Sequence, residues 1–94
     1  MKTVKNIEKA VSKHFKVDIK GVYASRKSVY PINGAKLALI YLLYANGCKS
    51  YRIAQKFGFD STMIYRYCGQ VQTALKSDTK IKEDIESINK LLNK

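Results

Sequence analysis

Apolar residues recur along this chain at intervals of three and four, the spacing of one face of an α-helix, and no β-branched run alternates with period two. Val4, Ile7, Val11 and Phe15 make the first stripe, which predicts a helix over 3–15 with Thr3 as N-cap and a lysine-rich opposite face. A short second helix is predicted over 18–24, turning Ile19 and Val22 inward. The stretch SRKSVYPIN, 25–33, loses helicity at Pro31 and reads as a basic loop. Asn33 is placed to cap a third helix over 34–46, which is apolar on nearly all sides and therefore belongs at the centre of the core. Asn46-Gly47 ends it.

Three more helices follow. Ser50 is placed to cap a fourth over 51–57, and Asp60 or Ser61 a fifth running to about 76, with Ile64, Cys68, Val71 and Leu75 on one face. Asp78 is placed to cap the last, where Ile81, Ile85, Ile88 and Leu92 form an amphipathic stripe with i,i+4 charge partners outside. There is no internal repeat, low-complexity tract or linker. The expectation is one all-α domain over 1–94, a compact bundle of about six helices.

The fourth and fifth helices are separated only by Gly58, Phe59 and Asp60, the length and glycine content of a helix-turn-helix corner. Gly58 can take the positive φ such a corner demands, and Ala54 is small where the helices must approach. Ile53, Phe57, Phe59 and Ile64 supply an apolar wedge that Tyr67 or Cys68 continues. In a helix-turn-helix the second helix enters the major groove with its N-terminal residues at the base edges. Here those are Asp60, Ser61, Thr62 and Met63, followed by Tyr65, Arg66 and Gly69 along the exposed side. Asp60 can accept from cytosine N4, Thr62 can offer its methyl to thymine, and Arg66 can pair with guanine or a phosphate. Tyr51, Arg52 and Lys56, with Lys36 and Lys49, are the candidate phosphate contacts.

Charge points the same way. The formal net charge is +11, and it is unevenly spread: residues 1–77 hold 14 Lys and Arg against 3 acids, whereas 78–94 hold 4 of each and are neutral. A positive field confined to part of a chain attracts polyanions, nucleic acid before anionic membrane. The longest apolar stretch, LALIYLLYA at 37–45, is far short of the ~20 residues that cross a bilayer. MKTVKNIEKA has no apolar export segment, so the expected location is cytoplasmic, on the nucleoid. Cys48 and Cys68 stand apart with a single histidine, His14, which leaves a zinc site without ligands and predicts two free, buried or half-buried thiols, with a disulfide as the lesser alternative. No cofactor or metal is expected.

At these residues the chain resembles a known family, the C-terminal double-stranded-DNA-binding domain of the bacterial replication initiator DnaA, of the TrpR-like helix-turn-helix superfamily. IEKAVSKHFKVDIKGVYA is similar to that domain's first two helices and SRKSVYP to its basic loop. YRIAQKFGFDSTMIYRYC is similar to its signature helix-turn-helix, and LKSDTKIKEDIESINKLL to its final helix. The resemblance implies that Arg26 or Lys27 enters the minor groove and that Asp60, Ser61, Thr62 and Met63 occupy the positions of an Asp-His-Thr-Thr run at the bases. Two departures stand out: the loop before Asp60 is one residue shorter, and the family's histidine and second threonine are Ser61 and Met63 here. The initiator's ATPase needs a GxxxxGK[ST] phosphate loop, and these residues contain none.

The expected function is therefore sequence-selective binding of double-stranded DNA without ATPase activity, in origin recognition or in regulation of replication or transcription, in a bacterial or phage setting. The first helix, the 25–33 loop and the fourth helix grip phosphates while 60–66 reads bases. The alternative is a helical interaction module whose basic face meets an acidic protein. Catalysis is not expected, since His14, read as a surface residue, has no nucleophile or carboxylate pair beside it in the sequence. No small-molecule substrate follows from the sequence. RNA is disfavoured because the tyrosines are scattered through helices rather than lining a stacking sheet. Target sequence, a homodimer and a protein partner stay open.

Overall fold

A computed structural model of the chain describes residues 4–24 and 32–93. All regular structure among them is helical: α1 (Val4–Phe15), α2 (Ile19–Ala24), α3 (Ile32–Ala45), α4 (Ser50–Phe57), α5 (Ser61–Leu75) and α6 (Lys80–Leu92). The all-α expectation is met. The radius of gyration, 11.9 Å, is that of a chain of this length folded around one core.

α3 is the spoke. Its all-round apolar surface buries Ala35, Ala38, Leu39, Ile40, Leu42 and Leu43, and it packs against each of the other five helices. α1, α3, α5 and α6 form a four-cornered frame in which α1 meets α3 and α6, and α5 meets the same two. α1 and α5 do not touch; they stand at opposite corners, with α3 and α6 meeting across the other diagonal. The short α2 and α4 close the side of α3, with α4 against α5 and α2 against α1. Among the described residues no helix is long and apolar enough to cross a membrane.

The predicted stripes supply this core: Ile7, Val11 and Phe15 from α1, Ile64, Cys68 and Val71 from α5, and Ile85 and Ile88 from α6 are all buried. Cys48 is half-buried and Cys68 buried, both as free thiols, and burial pushes the Cys68 thiol up, which keeps it protonated. α3 ends as Asn46-Gly47 predicts, with Gly47 at φ 95° and the Cys48 and Gly47 N–H groups donating to the Leu43 and Tyr44 carbonyls.

Three expected caps are not the observed ones. Asn33 lies inside the first turn of α3, which already includes Ile32; a first-turn N–H has no intrahelical acceptor, so asparagine is tolerated there. Ser50 is the first residue of α4 rather than its cap: Lys49 takes the extended cap conformation without a side-chain bond, and the Ser50 hydroxyl donates to Tyr65 Oη at 3.1 Å. Thr79, not Asp78, caps α6. Its hydroxyl oxygen accepts from the Lys82 N–H (3.2 Å) and donates to the Ala74 carbonyl (2.9 Å), tying the end of α5 to the start of α6. Asp78 is left outside, 3.6 Å from the Lys82 ammonium.

The interior also holds a polar contact that the helical pattern does not display. Asp84, 2 % exposed, lies on the inner side of α6, where His14 of α1 meets it at 2.8 Å from Nε2 to Oδ1. His14 is thus a half-buried partner of α6 and not a surface histidine. Asp84 departs likewise from the expectation that α6 keeps its charge partners outside.

Candidate nucleic-acid interface

The two helices of interest are set by short-range chemistry. α4 is amphipathic, burying Ile53, Ala54 and Phe57, and its chain turns out of the helix at Gly58, whose φ of 71° suits a residue without a Cβ. Phe59 N–H returns to the Ala54 carbonyl at 2.9 Å, and Gly58 N–H to that of Gln55. Two residues later Asp60, in extended conformation, opens α5 by accepting the Thr62 N–H on Oδ1 at 2.8 Å. The corner is filled from inside. Phe57 and Phe59 stack at 5.5 Å between centroids, Tyr67 lies 5.7 Å beyond Phe59, and Ile53 and Ile64 are fully buried.

What remains outside is the candidate interface. Thr62, Arg66 and Gly69 share the outward stripe of α5, extended by Gln70 and Thr73, which the expected site did not include. Ser61 and Met63 are half-buried at the edges of that stripe. Asp60 is exposed, although one of its oxygens is engaged in the cap, which leaves the other for a donor. On α4, Tyr51, Arg52 and Lys56 are exposed as expected. With Gln55 they line a shallow open groove of about 500 Å³. Lys49, at the head of α4, is exposed too.

Tyr65 is held more firmly than its position in the sequence implies. It is 55 % exposed, its hydroxyl takes the Ser50 bond, and its ring meets that of Tyr44 edge-on at 5.9 Å. This bridge links the end of α3, the start of α4 and the second turn of α5. Ser50 and Tyr44 are therefore part of the site's support, and neither stands out by periodicity because each reaches its partner across an interhelical gap. Lys56 lies over the Tyr23 ring at 5.6 Å. Tyr23 in turn donates its hydroxyl to Glu8 at 2.5 Å and packs its ring against Phe57. Burial and the neighbouring Glu8 carboxylate push the Tyr23 phenol far above its ordinary range, so it stays a donor.

Two groups of expected contacts are not on this face. Lys36 is 6 % exposed, with its ammonium 5.7 Å from the Phe59 ring; its stem fills the core and its charge serves the corner, so it is not among the exposed phosphate-gripping cations. The lysines of α1 belong to the corner of the frame diagonally opposite α5, because α1 touches neither α4 nor α5. Arg26 and Lys27 lie in 25–31, outside the described residues. Among the described residues no group of three or more His, Cys, Asp or Glu side chains is arranged to hold a metal.

The arrangement presents hydroxyl, amide and guanidinium groups on one helix, cations on the helix before it, and a glycine in the middle of the outward stripe. Compared with known proteins, the chain matches no family model and no curated sequence.

Proposed function

We propose that the protein binds double-stranded DNA with sequence selectivity through a helix-turn-helix formed by α4, the Gly58 to Asp60 corner and α5, and that it does so without ATPase activity. The observation that carries this reading is the pairing of two outward faces across one filled corner. α5 shows Thr62, Arg66 and Gly69, and α4 shows Arg52 and Lys56, with Asp60 the only acid in either helix or the corner. α5 is the base reader: Asp60 accepts from cytosine N4, Thr62 meets a thymine methyl, and Arg66 donates to guanine. Ser61 and Met63 flank them, while Tyr51, Arg52, Lys56 and Lys49 neutralise phosphates. Arg26 or Lys27 enters the adjacent minor groove. The Ser50 to Tyr65 bond holds the two helices in register, so that the α4 cations locate the backbone while α5 lies in the major groove. The process served is regulation of replication or transcription, in the cytoplasm on the nucleoid.

The test is selection of the purified protein against random duplex DNA near ~150 mM salt, followed by affinities for enriched and scrambled duplexes. A short enriched motif is expected. Arg66→Ala should weaken binding to the motif by about 1 to 3 kcal/mol and leave scrambled DNA nearly unaffected. Equal losses on both would make Arg66 a phosphate contact. If no motif emerges and binding only fades with salt, the reading fails in favour of an acidic protein partner.

Gly69 provides an independent check. It sits mid-helix, exposed, and a Cβ built on it meets nothing within 4 Å, so no packing inside the protein calls for glycine there. Glycine in a helix interior is about 0.8 to 1.0 kcal/mol less favourable than alanine. On the proposed reading the open space is where a DNA backbone passes. Gly69→Ala should therefore raise the unfolding free energy by about 0.5 to 1 kcal/mol in urea and yet weaken motif binding. A variant that is stabilised and binds as well as wild type would place Gly69 off the interface.

A further inference from the structure

The outer face of α1 carries Lys5, Lys9 and Lys13 at successive i,i+4 positions, all exposed, with Lys16 at the helix end and Lys20 on α2 beyond it. Like charges at this spacing destabilise an isolated helix. Among the described residues no carboxylate pairs with any of the three, whereas α6 and its entry answer the same spacing with opposite charges, Asp78 with Lys82 and Lys80 with Asp84. Glu8 and Asp18 line the groove between α1 and α2 beside the lysines, and Glu8 is engaged by the Tyr23 hydroxyl. Lys16 holds its place at φ 57°, the only non-glycine residue in the left-handed region among those described. The buried side of α1, from Ile7 to Phe15, faces α3 and α6, so the lysine row points away from the core and away from α5 at the opposite corner.

From this geometry we infer that α1 is a second polyanion-binding surface, and that its occupant is the phosphate backbone of a second DNA segment, so that one protein bridges two duplexes. The inference rests on the proposed DNA-binding role of α4 and α5. Three features select DNA backbone over an acidic protein. The row, about 12 Å long, covers roughly three or four phosphates of one strand when measured along the duplex axis, at about 3.4 Å each. Its cations are lysines, point charges suited to phosphates without base reading. Among the described residues the exposed large hydrophobic ones, Tyr44, Tyr51 and Tyr65, lie in α3, α4 and α5 and none in α1, so the described α1 surface lacks the aromatic anchors that protein interfaces use.

The experiment uses the whole chain, a bead-bound duplex carrying the selected motif, and a fluorescent scrambled duplex in solution near ~150 mM salt. Wild type is expected to carry the fluorescent duplex to the beads. The triple variant Lys5→Ala, Lys9→Ala, Lys13→Ala should keep its affinity for the motif within ~3-fold and capture at least ~10-fold less of the second duplex. Its thermal melt should be unchanged or raised, since exposed unpaired lysines become alanines.

Equal capture by the triple variant and wild type would overturn the inference, because bridging would then run through a dimer of α5 surfaces. So would a loss of motif affinity as large as the loss of capture, which would make α1 part of one continuous site. Displacement of the second duplex by polyglutamate more readily than by scrambled DNA would assign the row to an acidic protein instead. If selection yields no motif while lysine-dependent capture persists, with bead-bound DNA of any sequence, the base-reading role fails and the α1 surface stands.

Discussion

Replacing His14 by alanine is expected to cost the fold about 3 kcal/mol. The imidazole supplies the close partner of a carboxylate that is 2 % exposed, at 2.8 Å, across the α1 to α6 contact. Asp84 Oδ2 has no hydrogen-bond partner among the described residues, so the carboxylate is already short of donors. After the substitution it keeps Lys80, whose Nζ is 3.9 Å away on a side chain 65 % exposed. Breaking one half of a buried pair costs about 3 to 5 kcal/mol, because an uncompensated charge stays behind. The low end applies here, since His14 is 23 % exposed and water can follow it out.

Against a total of about 5 to 14 kcal/mol for a domain of this size, the loss is severe, and the melting temperature should fall by roughly 12 to 24 °C. Urea unfolding checks it, through a lower midpoint at constant slope. The double variant His14→Ala, Asp84→Asn should recover much of the loss, because the stranded charge is gone. A cost below about 1 kcal/mol in the single variant would show that water replaces the imidazole without penalty.

Ile64→Ala is the second large effect, and it connects stability to the proposed recognition. Ile64 is fully buried in the first turns of α5, directly behind the outward stripe of Thr62 and Arg66. Truncating a buried isoleucine costs about 2 to 5 kcal/mol through lost transfer free energy and the cavity left behind. Ile64 helps to seat α5 against α3 and α4, so the angle of the reading helix should relax as well. Motif affinity should then fall more than affinity for scrambled DNA, at a temperature where the variant is still folded. Ile64→Val should cost about 1 kcal/mol and keep the preference. An Ile64→Ala protein that is destabilised yet reads the motif as wild type does would detach the buried seat of α5 from recognition. By contrast, exposed Thr62→Ala should change stability by no more than about 0.5 kcal/mol.

Much of the scaffold is legible in the spacing of apolar residues. Ile7, Val11 and Phe15 recur at four-residue intervals and are buried together, and Ile64, Cys68 and Val71, spaced by four and then three, are buried likewise. Gly58 and Asp60 mark the corner because positive φ and an N-cap oxygen are requirements of single residues. Caps chosen between similar polar neighbours are less legible. Asp78 and Thr79 both suit an N-cap, and the Ala74 carbonyl, within reach of the Thr79 hydroxyl, accompanies the choice. Ser50 is likewise drawn away from capping by Tyr65, fifteen positions on.

The amino-acid sequence by itself determined that the chain is all-helical, where its helices lie to within a residue or two, and which faces turn inward, because these follow from local periodicity and local backbone preference. Tertiary structure alone decided which charges are where. Lys36 is taken out of the basic surface because α3 is central and Phe59 lies beside its ammonium. Asp84 is buried because His14, seventy residues earlier, meets it. The α1 lysines are set at the corner opposite α5 because both helices pack on α3 and α6 but not on each other. The fate of a charge depends on what the remainder of the chain brings to it, and that information is distributed over residues far apart in sequence.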